Sequence, residues 1–500
     1  MLVTPQQMYA AEKECDINYI PLDALMLNAG SALRDFVIDK CGGGDVLVLC
    51  GNGNNAGDGF VCAALLKRRG FNVACALVCG RLKTELAYIN FESARFFGVE
   101  MLSDFELIKQ RFAKCNVVID CVFGTGFKGE LSDELISLFA TPTKATKISA
   151  DIPSGANGLT GVAAKGAFCA DYTLTFGRKK VGLAMQNAKS CCGEIIVVDI
   201  GIPDGCFDDL THYFEIDKEF VKKIIKKREP NSHKGDFGTL LCVCSNENMV
   251  GACAMCVNAA LRSGVGLVVA ACPKSVRDSL SSAIPECVWL GLDVDENGFI
   301  TADNEQKILK TAQKATAVVI GCGLGVTNGT KELVKSIITK INCPIILDAD
   351  GINCISDSID ILMGKDNIVI TPHPGEAARL LNCTNADVQS DRLGSAYKLA
   401  QFGGIAVLKG AGTIVAHGST FGINTSGNSG MSRAGSGDVL AGIIGALAAQ
   451  KINLYDACAL GVYLHGLSGD LAAKELTQYS CLPRDFIESL GTAFADIQSF

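Results

Sequence analysis

Short runs of β-branched and aliphatic residues alternate along the chain with longer stretches whose apolar positions recur at helical spacing. In the first half the strand-like runs are DVLVLC (45–50), NVACALV (72–78), NVVIDCVF (116–123), KISADIP (147–153), YTLTF (172–176) and EIIVVDI (194–200). The second half repeats the style with TLLCVC (239–244), GLVVAAC (266–272), AVVIGCG (317–323), PIILDAD (344–350), NIVITP (367–372) and IAVLKG (405–410). Runs with no alternating polar face predict strands covered on both sides, as in parallel sheets with crossover helices. The chain therefore reads as α/β, with one sheet in each half. Between the halves, Asp217 to Lys234 is charged and lacks a strand pattern. It reads as a helix and a connection marked by Pro230, which puts the boundary between Lys218 and Pro230. Domains are expected at 1–217 and 225–500.

Composition removes several classes of function. A chain of 500 residues is too long for one core. Hydrophobic residues at 48% and charged ones at 20% leave no room for extensive disorder. A net charge of −8 argues against a nucleic-acid partner. The one basic cluster, Lys222 to Arg228, has the spacing of a solvated helix face. No apolar segment reaches bilayer length and the first residues lack a signal-peptide core, so a cytoplasmic protein without a membrane partner is expected. In that compartment the 24 cysteines are expected to be reduced, buried thiols. Cys242, Cys244, Cys253 and Cys256 have a spacing that zinc can use. Each pair, however, shares a face expected to point into the core, so packing is the expected role.

Candidate chemistry collects in the loops. Small residues fill Asn424 to Gly437, and an apolar helix-like run follows Asp438. Gly435, Ser436 and Gly437 let the backbone approach a ligand closely, and a helix starting there aims unpaired N–H groups at an anion. Asp438 beside such an anion is suited to taking a proton from a hydroxyl that attacks a phosphate. TPHPGE (371–376) fixes His373 between two prolines, and KGAGT (409–413) places Lys409 and small-residue amides at a strand end. No Walker pattern occurs.

In the first half, Gly51, Gly53 and Ala56 formally satisfy the dinucleotide fingerprint. The next strand run ends without a carboxylate, at ALVCGRLK, so a redox Rossmann domain loses support. Asn54, Asn55 and Asp58 instead pack hard oxygen donors into the turn, suiting a small cation or a polyhydroxylated substrate. Asp120 and Asp151 close two further strand runs, the second just before Ser154, and Lys128 lies in the loop after the first. Acidic strand ends of this kind point to one polar crevice at the carboxyl edge of the sheet.

GNGNNAGDG (51–59), DCVFGTGFKGEL (120–131) and ADIPSG (150–155), with LMLNAG (25–30), resemble the NAD(P)H-hydrate epimerase family over about residues 1–215. The resemblance implies a Rossmann-like fold and interconversion of the R and S hydrates of the reduced nicotinamide ring. By it, Asn54, Asn55, Ala56, Gly57 and Asp58 hold the hydrate together with Gly124, Thr125, Gly126, Phe127, Lys128, Gly129 and Glu130. Asp151 is the acid/base residue, and Asn55, Asp120 and Ser154 bind potassium. Ala56 stands where the family usually has Gly.

HKGDFG (233–238), GCGLG (321–325), DADGIN (348–353), TPHPGE, KGAGT and GMSRAGSGDVLAG (430–442) resemble the ADP- or ATP-dependent NAD(P)H-hydrate dehydratase, a relative of ribokinase-type kinases, over about residues 225–495. That resemblance implies a ribokinase-like fold and dehydration of the S hydrate. Ala252, Gly323, His373 and Asp438 would contact the hydrate; Lys409, Gly410, Ala411, Gly412, Thr413 and Gly437 would contact the nucleotide. ADP or ATP is a consumed co-substrate, and magnesium is expected with its phosphates. Cys322 stands where a proline is common and Ser436 where a threonine is common.

The whole chain thus resembles bifunctional NAD(P)H-hydrate repair enzymes, epimerase first and dehydratase second. Its partners are expected to be the NADH and NADPH hydrates, an adenine nucleotide and copies of itself. Two other readings stay open at this point: a vitamin or sugar kinase fused to a cofactor-binding domain, and a first half that binds nucleotide without catalysis.

Overall fold

The protein is described by a computed structural model that covers residues 1–208 and 212–498. It divides into two compact units, Met1–Tyr213 and Phe214–Phe500. All the strand runs expected from the sequence contain strands, with ends that differ by up to three residues.

The first unit is built on seven parallel strands in the order Glu100–Leu102, Asn72–Leu77, Asp45–Cys50, Val117–Cys121, Thr146–Ala150, Tyr172–Phe176 and Glu194–Val198. Its central strand shows why the polar face was missing from the pattern. Val46, Val48 and Cys50 enter one apolar layer, while Leu47 and Leu49 enter the other. Side chains alternate across a strand, so both faces must be apolar when helices cover both. The helix Asn54–Arg68 packs on one side; Phe105–Lys114, N-capped by Asp104 accepting from the Leu107 amide at 3.0 Å, supplies Ile108 and Phe112 to the other.

In the second unit seven parallel strands run Val288–Leu292, Leu267–Pro273, Thr239–Val243, Ala317–Ile320, Ile345–Leu347, Ile368–Ile370 and Ile405–Leu408. An antiparallel hairpin, Ile414–His417 with Thr420–Asn424, extends that sheet. Both sheets are wound outward from the middle. The chain leaves Asp45–Cys50 towards one edge and returns at Val117–Cys121; it does the same from Thr239–Val243 to Ala317–Ile320. A crevice opens at the carboxyl end of such a reversal, and each unit has one.

Several details differ from the sequence reading: the edge strands Glu100–Leu102 and Val288–Leu292 and the hairpin Ile414–Asn424 were not expected. The strand His212–Ile216 was not expected, and Ile216 is fully buried in the second unit's core. The basic cluster is not one helix face: the helix Lys218–Lys222 stops at its first lysine. Ile224 and Ile225 turn to the core, and the Arg228 guanidinium leaves the helix path to donate to Gln450 Oε1 at 3.0 Å and lie over the Phe237 ring at 3.8 Å. Among the described residues no helix is long and apolar enough to cross a membrane.

The densest contact of the second unit joins the helices Ser436–Ala449 and Val250–Arg262. A methyl added at Gly442 would lie 2.2 Å from the Cys256 carbonyl oxygen, so the backbones themselves touch. Gly442→Ala is therefore expected to destabilise the second unit by about 1–3 kcal/mol, as overpacking does. Urea unfolding followed by probes in that unit checks this; an unchanged midpoint would mean that the helices can separate freely.

Candidate active sites

In the first unit, a cavity of about 130 Å³ opens at the strand reversal. Asn54, Asn55 and Asp58 line it from the loop and helix after Asp45–Cys50, and Gly124 and Thr125 from the loop after Val117–Cys121. Gly51 makes this approach possible, since a Cβ there would lie 1.9 Å from the Val122 carbonyl oxygen. Asp151, Glu12, Met26, Phe176 and Ile200 complete much of the wall. Ala56 and Gly57 are buried behind it in the helix. Gly126 to Glu130 are not among the wall residues: Phe127 packs against Phe123 with ring centroids 5.1 Å apart, while Gly126, Lys128, Gly129 and Glu130 are exposed.

Asp151 lies one residue beyond its strand in left-handed backbone, at φ 66°. Its Oδ1 accepts from the Phe176 amide at 3.1 Å and Thr175 Oγ1 at 3.3 Å, and it pairs with Lys180 Nζ. Lys180 is fully buried and also donates to the Phe176 carbonyl at 2.8 Å. Among the described residues Oδ2 of Asp151 receives no hydrogen bond, which leaves it to the cavity. Burial raises Glu12 to about 7, with the Asp151 charge adding and Lys180 opposing. Asp58 is pushed well above the carboxylate range by burial first and by Asp151 and Glu12 next. Neither Glu12 nor Lys180 was found in the sequence, because neither sits in a loop motif.

Asp120 is fully buried. Its oxygens accept from Ser154 Oγ at 2.6 Å, the Ser154 amide at 2.7 Å and the Val122 amide at 3.2 Å, and burial still raises it to about 6. Asn55 carries a buried side-chain amide nitrogen with no partner. Asp120 and Ser154 thus form a hydrogen-bonded pair of hard-oxygen donors, of the chemical kind that could hold a small cation.

The second site forms around the helix start at Ser436. Gly435 caps it in left-handed backbone at φ 92°; the Ser436 amide donates to the Arg433 carbonyl at 3.2 Å, while no backbone acceptor takes the Gly437 and Asp438 amides among the described residues, which leaves them to an anion. A Cβ at Gly437 would lie 3.3 Å from Lys409 Nζ and 3.5 Å from Asp348 Oδ2. Lys409 Nζ is 2.5 Å from Asp348 Oδ1 and 3.9 Å from Glu376 Oε2. Thr371 Oγ1 donates to the same Oδ1 at 2.7 Å, and Oδ2 receives no hydrogen bond among the described residues. Asp438 is raised to about 7, mainly by burial and then by the Asp348 charge. Ligand atoms of Asp438, Asp348 and Cys322 lie within 4.8 Å of one another.

Ala252 and Gly323 are brought together, since a Cβ at Gly323 would lie 2.7 Å from the Ala252 Cβ. His373 reaches the group through Glu376. Its Nδ1 accepts from the Gly375 amide at 3.0 Å, capping the helix Pro374–Leu380, and its Nε2 is 3.4 Å from Glu376 Oε1. Burial, then Lys409 and Arg379, lower its basicity. The 409–413 loop is held from behind by the buried Arg392, which donates to the carbonyls of Leu408 at 3.1 Å, Lys409 at 3.2 Å and Gly412 at 3.4 Å. Ala411 is exposed, while Gly412 and Thr413 are half-buried. Asp348 and Glu376 stood inside quoted motifs but were not singled out; acidic residues closing strand runs were the available signal.

Fold and sites define the class: an α/β enzyme with a Rossmann-like unit followed by a ribokinase-like unit. Residues 22–182 match the family model described as YjeF-related protein N-terminus, and residues 240–491 match the one described as NAD(P)H-hydrate dehydratase. The chain is 33% identical over 510 residues to the bifunctional NAD(P)H-hydrate repair enzyme of Moorella thermoacetica, covering 98% of this chain and 96% of that one. It is 35% identical over 483 residues to the enzyme of the same description from Escherichia coli, covering 95% and 90%. A ribokinase-like superfamily protein of Enterococcus faecalis superposes with a TM-score of 0.51 at 27% identity, covering 57% of this chain and 96% of that chain. The chain belongs to the bifunctional NAD(P)H-hydrate repair enzyme family. It is accordingly an epimerase and a dehydratase in one chain.

Removing the buried cation should expose how much Asp151 depends on it. Lys180→Met is expected to destabilise the first unit by about 3 kcal/mol near neutral pH, because an unpaired carboxylate is left desolvated. The penalty is that of a buried charge without its counter-ion, so Lys180→Met combined with Asp151→Asn is expected to recover most of the loss. Denaturant titrations of the single and double variants check this; a loss that persists in the double variant would assign the effect to packing alone.

Proposed function

We propose that the first unit, residues 1–217, interconverts the R and S hydrates of NADH and NADPH, and that the second, 225–500, dehydrates the S form at the expense of ADP or ATP. The observation that carries the reading is Asp438, desolvated beside an uncapped helix start that Lys409 and Asp348 flank. In this reading the protein works in the cytoplasm as a homo-oligomer.

Dehydration follows from that geometry. Asp438 takes the C6 hydroxyl proton as the hydroxyl oxygen attacks the terminal phosphorus of the nucleotide, whose bond to the leaving phosphate chain breaks. Amides of Gly435 and Gly437, with Lys409 against Gly437, face the charge on the transferring group. The phosphorylated oxygen then leaves C6 as phosphate with its electron pair, drawn out by the ring nitrogen lone pair. Loss of a C5 proton restores the double bond and NAD(P)H. Lys409 to Thr413 position the nucleotide, braced by Arg392. Ala252, Gly323 and His373 contact the hydrate in this proposal. Magnesium, when bound, would neutralise phosphate charge, and Asp348 supplies the free hard oxygen that suits it.

Epimerisation needs an acid and a base at one carbon. Glu12, half protonated near neutral pH, gives a proton to the departing C6 hydroxyl, and water returns to the opposite face of the ring. Asp151, with one oxygen fixed by Lys180 and the other turned to the cavity, takes the proton from that water. Asn54, Asn55, Ala56, Gly57, Asp58 and the 124–130 loop hold the hydrate. Potassium would sit among Asn55, Asp120 and Ser154 and supply fixed positive charge.

Incubating both NADH hydrates with the protein, potassium, magnesium and either ADP or ATP tests the whole reading. Restored nicotinamide absorbance, one phosphate per turnover and consumption of both epimers are expected. A stable phosphorylated product would make the second unit a small-molecule kinase, and consumption of the S form alone would make the first unit non-catalytic. Asp438→Asn is expected to lower dehydration by about 10²–10⁴-fold while leaving epimerisation intact. Because Asp438 must be unprotonated to act, the wild-type dehydration rate should rise with pH through about 7. Glu12→Gln should slow epimerisation by about a hundredfold and abolish its pH dependence near 7, without touching dehydration of pure S hydrate.

A further inference from the structure

Four thiols converge beneath the second site. Cys242 and Cys244 come from the strand Thr239–Val243 and the residue after it, Cys256 from the helix Val250–Arg262, and Cys322 from the loop after Ala317–Ile320. All four are fully buried. Cys256 interacts with each of the other three, its Sγ lying 3.9 Å from that of Cys242. The Sγ atoms of Cys244, Cys256 and Cys322 lie within 4.8 Å of one another. A zinc–sulfur bond of about 2.3 Å in tetrahedral geometry puts ligand sulfurs about 3.8 Å apart, so closure by roughly 1 Å completes a three-sulfur set. Apolar packing asks only that these side chains be buried; it does not ask that sulfurs from three separate segments point at one spot.

The set also adjoins the carboxylates of the second site. Cys322 belongs to a second donor group with Asp348 and Asp438, of which only Asp438 is half-buried. Thiolates select soft cations, and three of them leave a coordination position open towards Asp438.

We propose that Cys244, Cys256 and Cys322 form a binding site for a thiophilic d10 cation, and that its occupation blocks Asp438 and inhibits dehydration. The site stands on the thiol geometry; its inhibitory effect rests on the dehydratase reading given above.

Full-length reduced protein is titrated with Cd2+ as the probe, under reductant-free anaerobic conditions after removal of the reducing agent. Sulfur-to-cadmium charge-transfer absorption saturating at one ion per chain is expected, and Cys256→Ala and Cys322→Ser should each lose it. In parallel, Cd2+ and Zn2+ should each lower the dehydration rate by about a hundredfold, the scale of losing a proton acceptor. Epimerisation on the same chain serves as the control and should be unaffected, and a chelator should restore the lost activity. No thiolate absorption, or absorption that persists in both variants, overturns the site. Equal loss of both activities overturns it too, since it would report general damage. Binding with an unchanged dehydration rate overturns the link to Asp438. The metal-free rate separately decides whether the second unit is a dehydratase at all.

Discussion

A charged carboxylate at the end of a parallel strand is stabilised most directly by a cation brought to it, and each unit brings a lysine, fully buried in the first and largely buried in the second. Asp151 receives Lys180, and Asp348 receives Lys409. The two arrangements share a further detail. In both, the lysine and a threonine hydroxyl converge on the same oxygen: Thr175 on Oδ1 of Asp151, and Thr371 on Oδ1 of Asp348. Oδ2 of each receives no hydrogen bond among the described residues, and that of Asp348 lies beside Gly437. An unpaired charge at these depths would cost several kcal/mol, so the pairs are conditions for closing the strand ends around a polar site at all. The price is paid in geometry, because each lysine must come from a segment that is distant in sequence.

That geometry is set by the sheets. Each is wound outward in both directions from a central strand, which parts the loops after Asp45–Cys50 and Val117–Cys121 in one unit and after Thr239–Val243 and Ala317–Ile320 in the other. Close backbone approach then does the rest. Gly51 abuts the Val122 carbonyl in the first unit, and Gly442 the Cys256 carbonyl in the second. The latter contact seats the helix Ser436–Ala449 so that its uncapped start presents amides, with Lys409 and Asp348 alongside Gly437. Anion binding and the placement of Asp438 are thus two consequences of one helix position.

Much of this was legible in the sequence because it is local. A strand covered on both faces must be apolar throughout, and a loop that meets phosphate must be small, so strand runs and glycine motifs announce themselves. Asp120, Asp151 and Asp438 were readable for the same reason, each lying beside a motif. The partners were not. Lys180 is 29 residues from Asp151 and Lys409 is 61 from Asp348; pairing them requires the strand order. Glu12 sits on the helix Pro5–Asn18, where an acidic residue reads as solvated surface. The hairpin Ile414–Asn424 was overlooked although its turn, His417 to Thr420, contains Gly418. Its apolar runs are short and abut the KGAGT loop, which drew the reading towards ligand binding. The basic cluster misled for the opposite reason: its spacing is helical, but Ile224 and Ile225 find more apolar contact by leaving the helix.

The pairing also divides labour among the acids. Where two carboxylates share a site but differ in environment, the difference suits them to different tasks. In the second unit Asp348 has Lys409 against it, whereas Asp438 is desolvated and raised to about 7. In the first, Asp151 has Lys180, whereas Glu12 is desolvated and raised to about 7 by the same causes in the same order, burial first and the neighbouring aspartate second. A group that titrates near neutrality both accepts and releases a proton at little cost, which suits a reversible exchange of hydroxyl between two faces of a ring. It equally suits a base that must be empty when a hydroxyl attacks phosphate. The two units therefore share one arrangement on different folds: a lysine-paired aspartate beside an acid that has no cation of its own and titrates near neutrality.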